Sequence, residues 1–320
     1  MNLQLAAGFG WVLAKAGAVG IWSALTAPFQ GPHGGATIVR HAAMAVSRFM
    51  IETFTLDQIL YAVPPDSPRK NFEAYSKSKG IALNTVELPD GTTAFWMGNP
   101  DAERTIICYP GGAYCIPALT CHIKYVDAIM TNLQEAGIDA GVLFLKYDLA
   151  TQAPYPRQLA QAVAILRYAV ETLGKQPSKI GILGDSAGAH LILSVLSHLS
   201  HPHPDIPAMS LDESLAGALL LSPWMIDSRT DYESYRQNKK LDIIGLKPLL
   251  FWAGLFFGDA APDSYNQPAV APEGWWWDLP VKRIFVGVGG DEILLDSTLA
   301  VVRKIEVRIA LALEWSSDSG

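Results

Sequence analysis

Apolar and polar positions fall into blocks along the chain, and the length and period of each block predict its elements. Residues 5–29 form an apolar run in which Lys15 is the single charge, with Trp11 and Trp22 inside it. Residues 42–61 repeat apolar side chains at helical spacing, with Thr55-Leu56-Asp57 as a helix start, and Pro64-Pro65-Asp66-Ser67-Pro68 closes that block. Residues 81–88 and 93–97 read as strands joined across Pro89-Asp90-Gly91, a hairpin. Short apolar segments follow at 105–109, 141–147, 179–183, 217–221 and 283–288, with helical patterns at 125–136, 157–173 and 187–199 between the earlier ones. Near-continuous apolar strands separated by helices predict an α/β chain with a buried, mostly parallel sheet. The alternation breaks between residues 224 and 279. There a polar stretch at 227–241 precedes the apolar 249–257, which carries Trp252, Phe256 and Phe257, and Trp275, Trp276 and Trp277 come soon after. An insertion at this point predicts a lid over the strand tips, its aromatics lining an acyl or ring-binding pocket. The expected division is an N-terminal cap segment at 1–75, a core at 76–224 and 278–320, and a lid at 225–277.

The 320 residues suffice for one large domain with a small cap. The net charge of −7 and the lack of a basic cluster exclude nucleic acid as an expected partner. Cys108, Cys115 and Cys121 form neither a disulfide framework nor a zinc spacing, and no cofactor motif is visible. Residues 5–29 are long enough to span a bilayer, and they lack the basic start of a cleaved signal peptide. Two readings stand for this run: a membrane anchor or interfacial helix, and a cap helix over the site.

The strongest chemical signal is Gly184-Asp185-Ser186-Ala187-Gly188, set between the strand at 179–183 and the helix at 187–199. Strand, tight turn and helix in that order make a nucleophile elbow, with Ser186 exposed at the strand tip. Tyr109-Pro110-Gly111-Gly112-Ala113-Tyr114 follows the first core strand. It is the expected oxyanion loop, with Gly111, Gly112 and Ala113 assigned to the hole and Ala187 adding its own N–H. Asp291 follows the strand at 283–288 and the turn Gly289-Gly290, which makes it the expected acid. Its rivals are Glu292, read as a helix-start residue, and Asp296, read as a solvated one. Tyr114, Trp224 and Trp252 are the expected substrate-binding aromatics.

These residues resemble the hormone-sensitive-lipase-like branch of the α/β-hydrolase family, especially fungal esterases and steryl acetyl hydrolase-like enzymes. The resemblance covers about residues 54–305. It rests on Gly184-Asp185-Ser186-Ala187-Gly188, Tyr147-Asp148-Leu149-Ala150, Leu221-Ser222-Pro223-Trp224 and Gly290-Asp291-Glu292-Ile293-Leu294-Leu295-Asp296. It implies an α/β-hydrolase fold: an eight-stranded, mostly parallel sheet with helices on both faces and a helical cap. It also implies cleavage of short-acyl esters of lipophilic alcohols, frequent service in secondary-metabolite pathways, and, in several relatives, an N-terminal anchor in the endoplasmic reticulum. The expected partner is a small hydrophobic ester or a polyketide-like substrate, and the expected location is cytoplasmic or at the endoplasmic-reticulum membrane.

Two departures from the branch stand out. Its usual His-Gly-Gly-Gly oxyanion run is replaced by Pro110-Gly111-Gly112-Ala113, and proline cannot supply the bracing hydrogen bonds of that histidine, so a hole that is looser, or shaped for another substrate, is expected. The branch also places its catalytic histidine beyond one helix and one strand after the acid. Residues 297–306 and 307–315 fit that helix and strand, but no histidine follows His203, and residues 308–320 look unlike the family. Each remaining histidine reads first as a surface or satisfied side chain; as a surrogate base His122, after the oxyanion loop, ranks ahead of His190 on the helix flank and of His198, His201 and His203. The sequence therefore supports three readings. The first is a serine carboxylesterase or deacetylase with an unusual base or none. The second is a non-hydrolytic protein steering cyclisation or condensation. The third is a truncated, inactive relative.

Overall fold

The computed structural model describes residues 3–29, 37–225 and 231–305. The chain opens with α1 (Leu3–Thr26), a 3₁₀ turn (Ala27–Phe29), α2 (Ile38–Thr53), α3 (Leu56–Ala62) and α4 (Ser67–Lys79). The expected helix at 42–61 is thus two helices broken at Phe54. The break is made by Thr55, whose side chain accepts from the Gln58 N–H while Gln58 reaches back to the Thr55 N–H. Helix α4 was not expected, because its mostly polar sequence hides a short apolar stripe. Pro68 fits its first turn, Gly80 ends it at φ +68°, and Phe72 is wholly buried.

Strands β1 (Asn84–Glu87) and β2 (Thr93–Met97) form the expected hairpin, whose turn is closed by the Asp90 carboxylate accepting from the Thr92 N–H and hydroxyl. Then come β3 (Arg104–Tyr109), α5 (Thr120–Glu135), β4 (Ala140–Lys146), α6 (Arg157–Arg167) with a π-helical turn, β5 (Ile180–Asp185), α7 (Ala187–Ser200) and β6 (Gly217–Leu221). The chain continues through α8 (Glu233–Gln237), α9 (Leu246–Phe257), β7 (Ile284–Gly287) and α10 (Leu295–Val302). The sheet order is β1-β2-β4-β3-β5-β6-β7, antiparallel from β1 to β4 and parallel from β4 through β7. Among the described residues the sheet has seven strands; the eighth, expected at 307–315, lies outside them.

Side chains alternate across the sheet, as the strand period requires. Phe95, Met97, Cys108, Val142, Phe144 and Leu183 face one way and pack with Phe72 of α4 and Ile123 and Val126 of α5. Trp96, Ile107, Leu143, Leu145 and Ile182 face the other way and pack with α6 and α7. Both faces are covered, which explains why the central strands read as apolar runs without alternation.

Candidate active site

The strand register brings four chain segments out at one end of the sheet. Tyr109 lies beside Gly184, Asp185 beside Leu221, and Leu221 beside Gly287. The segments following β3, β5, β6 and β7 therefore emerge as neighbours, at the carboxyl ends where parallel sheets place their chemistry.

Ser186 holds the turn between β5 and α7 at φ +50° and ψ −118°, a conformation costly for any residue with a Cβ. Two glycines permit the turn. A Cβ on Gly184 would run into the Gly188 carbonyl, and one on Gly188 into the Tyr109 carbonyl. Backbone bonds stitch the turn to the exit of β6. The Ser186 N–H donates to the Leu221 carbonyl at 2.8 Å, and the Ser186 carbonyl accepts from the Trp224 N–H at 3.0 Å.

After β3, Gly112, Ala113 and Tyr114 have φ of +127°, +50° and +58° in succession. The Gly112 carbonyl accepts from Cys115 and Ile116, at 2.9 and 2.8 Å. The N–H groups of Gly112 and Ala113 donate to no acceptor among the described residues, and that of Ala187 opens α7, where no helical partner exists. Gly111 departs from its expected role. Its N–H donates to Asp185 Oδ1 at 3.0 Å, so it braces the loop instead of serving the hole. The expected looseness is also corrected. Although Pro110 stands where the family's histidine would, the Tyr147 hydroxyl donates to the Pro110 carbonyl at 2.9 Å and lies 3.3 Å from that of Gly111. Burial raises the Tyr147 pKa well above its ordinary value, which keeps the phenol a donor.

The two neighbouring acids differ. Asp291 is exposed, and its carboxylate makes no hydrogen bond among the described residues. Glu292 is turned inward: its Oε1 accepts from Ser222 Oγ at 2.7 Å and from the Gly289 N–H at 2.8 Å. Burial holds the Glu292 pKa above the usual glutamate range, against the opposing effect of those two donors. Ser222 follows β6 at φ +45°, next to the nucleophile turn. The geometry thus favours Glu292 over the expected Asp291. Asp296 is half-buried and accepts from the Ser234 N–H at 2.8 Å, so it is not the free surface residue expected. Ser222 belongs to the quoted run Leu221-Ser222-Pro223-Trp224 but was given no role there; its signal was its place after a strand next to the elbow strand.

No imidazole ring of the histidines discussed is hydrogen-bonded to Ser186 or Glu292 among the described residues. His122 Nδ1 accepts from the Leu119 N–H at 2.9 Å, and its Nε2 lies 3.4 Å from Asp185 Oδ2. Burial disfavours a charged His122 ring, while Asp185 and Cys121 favour one. The Leu119 N–H requires a bare Nδ1, and this backbone contact decides for the neutral ring with Nε2–H directed at Asp185. Both ring nitrogens are engaged, at Leu119 and Asp185, and neither is bonded to Ser186. His190 is buried, with both ring nitrogens bonded. His198, His201 and His203 lie at the far end of α7 or beyond; residue 198 is about 16 Å along the helix from its start.

The aromatic candidates lie behind the oxyanion loop. Tyr114 is wholly buried and stacks on Phe256 at a centroid distance of 4.1 Å. Trp224 meets the Tyr114 ring edge-on at 5.7 Å, and Trp252 is buried in the same cluster. All three are buried in one apolar cluster beside the site, where they were expected as substrate-binding aromatics.

A family profile described as the alpha/beta hydrolase fold matches residues 106–310. An acetyl-hydrolase of Streptomyces hygroscopicus is 28% identical over 225 residues, 69% of each chain. Steryl acetyl hydrolase 1 of Saccharomyces cerevisiae is 23% identical over 65% of this chain, which spans about half (49%) of the yeast protein. The crystal structure of an esterase from the bacterial hormone-sensitive lipase family superposes with a TM-score of 0.60 at 26% identity, covering 80% of this chain and 86% of that one. These relatives and neighbours are esterases and hydrolases, which supports carboxylic ester hydrolase activity. Strand order, elbow and matched profile together show that the chain belongs to the α/β-hydrolase fold family, in its hormone-sensitive-lipase-like branch.

Proposed function

We propose that this chain is a serine carboxylesterase or deacetylase acting on a short-acyl ester of a hydrophobic metabolite. Ser186 is the nucleophile, the N–H groups of Gly112, Ala113 and Ala187 hold the oxyanion, and Glu292 takes the place expected for Asp291. The observation that carries this reading is Ser186 at φ +50° on the elbow, beside a loop whose Gly112 and Ala113 N–H groups have no acceptor among the described residues. Attack of Ser186 Oγ on the ester carbonyl gives a tetrahedral oxyanion that those N–H groups stabilise. Collapse expels the alcohol and leaves acyl-Ser186, and water then releases the acid. Both attacks need a proton acceptor. In a serine protease, losing the histidine alone costs about 10⁶ in turnover, and about 10³–10⁴ over water survives through the hole and binding. Slow turnover is therefore expected. The test is hydrolysis of p-nitrophenyl acetate by the wild type beside Ser186→Ala.

The altered oxyanion loop, with no imidazole bonded to Ser186 or Glu292 among the described residues, favours a second reading, in which the site steers cyclisation or condensation of a polyketide-like intermediate. Product formation that survives Ser186→Ala would support it, and loss of product would remove it.

The finer parts of the proposal concern setting. The yeast relative, named for steryl acetates, supports a lipophilic alcohol as the leaving group. Service in fungal secondary metabolism is proposed from the family resemblance. Helix α1 supports membrane contact. Gly8–Phe29 is long and apolar enough to cross a bilayer by length and composition, and little of it is buried. The proposed location is the cytoplasm or the endoplasmic-reticulum membrane. The segments before α4 and between β6 and β7 form the proposed cap. This is supported by α2 packing on α9 and by the Arg48 guanidinium donating to the Asp242 carbonyl.

A further inference from the structure

One buried titratable residue has no part in the mechanism above. His190 sits one helical turn after Ser186, and its N–H donates to the Ser186 carbonyl at 3.0 Å. Its side chain is 1% exposed. Nε2 lies 3.0 Å from the Asn266 backbone carbonyl, and Nδ1 lies 2.7 Å from the Tyr114 hydroxyl. A carbonyl only accepts, so Nε2 carries the proton. Nδ1 is then bare and accepts from Tyr114. Burial pushes the His190 pKa down to about 4, against the pull of the Asn266 carbonyl and Asp263, so the ring is neutral near pH 7.

Tyr114 is the third of three consecutive positive-φ residues, directly after Ala113. A non-glycine residue at φ +58° persists only where its surroundings over-determine it. Three contacts do so. The Tyr114 carbonyl accepts from the Ala150 N–H at 2.7 Å, its ring stacks on Phe256 of α9, and its hydroxyl is held by His190. Of these, only the hydroxyl bond ties the loop directly to the helix that carries the nucleophile. Asn266, on the other side of the imidazole, belongs to the segment between α9 and β7, where its side chain and Asp263 bond each other's backbone turn.

We propose that His190 is a positioning residue. By accepting from Tyr114 and donating to Asn266, it fixes the Gly112-Ala113-Tyr114 turn relative to Ser186 and couples that turn to the segment between α9 and β7. The inference rests on the ester-hydrolase reading of Ser186 and names a residue that sets the geometry of its oxyanion hole. A misplacement of about 1 Å in such a hole can cost about 10²-fold in rate.

The side-chain nitrogen of Gln overlays Nε2, and the side-chain oxygen of Asn overlays Nδ1. H190Q therefore keeps the Asn266 bond and loses the Tyr114 bond, while H190N restores the acceptor for Tyr114. Turnover of p-nitrophenyl acetate is measured for the wild type, S186A, H190Q, H190N, Y114F and Y114F/H190Q, with Tm as the folding control. The expected result is a kcat loss of about 10- to 100-fold for H190Q and Y114F with KM within about twofold. The double variant should lose no more than either single one, and H190N should recover most of what H190Q loses. Wild-type kcat in folded H190Q and Y114F, or losses confined to KM and Tm, would overturn the proposal. If the wild type turns over no faster than S186A, the hydrolase reading fails by itself. His190 is then judged by the Gly112 and Ala113 amide resonances. These should shift in H190Q and Y114F and return in H190N; unshifted amides would overturn its positioning role.

Discussion

Asp291 and Glu292 are adjacent in sequence and opposite in environment: one carboxylate is exposed, the other bonded by Ser222 and Gly289. Spacing alone could place a carboxylate at this strand tip but could not say which of two neighbours turns inward, since that depends on the backbone of a four-residue turn. Glu292→Gln is expected to lower Ser186-dependent turnover by about tenfold or more, whereas Asp291→Asn stays within about twofold. Equal losses in parallel assays would return the role to Asp291. His190 carries a stability prediction as well. Its folded pKa of about 4 lies below the ordinary 6.5, so the native state binds fewer protons than the unfolded chain. That contribution is present above pH 6.5 and is lost as pH falls toward 4. It amounts to about 3 kcal/mol at most. Urea unfolding at pH 7.5 and pH 4.5 should show a steeper loss in wild type than in His190→Asn, which cannot titrate; equal slopes would contradict the buried neutral ring. In the sequence His190 looked like a flank residue, because one chain cannot show that Tyr114 and Asn266 converge on it.

The elements whose two faces are both buried were the most legible. β6 was expected at 217–221 and is found at Gly217–Leu221, and the elbow strand and α7 lie within about two residues of expectation. Elements with one thin apolar stripe were not legible. Helix α4 has a mostly polar sequence, yet Phe72 stacks on Phe95 at 4.5 Å and meets Phe144 edge-on at 5.1 Å. Helix α4 is therefore a layer of the core, and the core starts before the expected boundary at residue 76. Phe72→Ala should cost about 3–5 kcal/mol in urea unfolding. A cost below about 1 kcal/mol would show that α4 merely rests on the sheet. The oxyanion loop was legible as Pro-Gly-Gly but not in its bracing, because Tyr147 and Asp185 come from other elements.

Across the whole molecule, the mostly parallel sheet and its active-site end follow from apolar strands alternating with helices, whereas the strand order and the surroundings of the site come from long-range packing. Helix α1 illustrates the point. Val12, Ala16 and Ser23 are buried on one face, and α1 packs along α2, while Trp22 is 69% and Phe29 86% exposed. Single exposed apolar residues are ordinary; Trp22 and Leu25 of α1 and Phe29 in the turn after it are where the proposed membrane contact is tested. Wild-type protein should co-sediment with phosphatidylcholine vesicles, and replacing Trp22, Leu25 and Phe29 by serine should leave it in the supernatant at unchanged Tm. Wild type that stays in the supernatant would contradict membrane contact. The central claim is that Ser186 on the elbow performs ester chemistry, and initial rates of p-nitrophenyl acetate hydrolysis test it most directly. The account predicts turnover that is slow but clearly above that of folded Ser186→Ala; equal rates in the two proteins would contradict it.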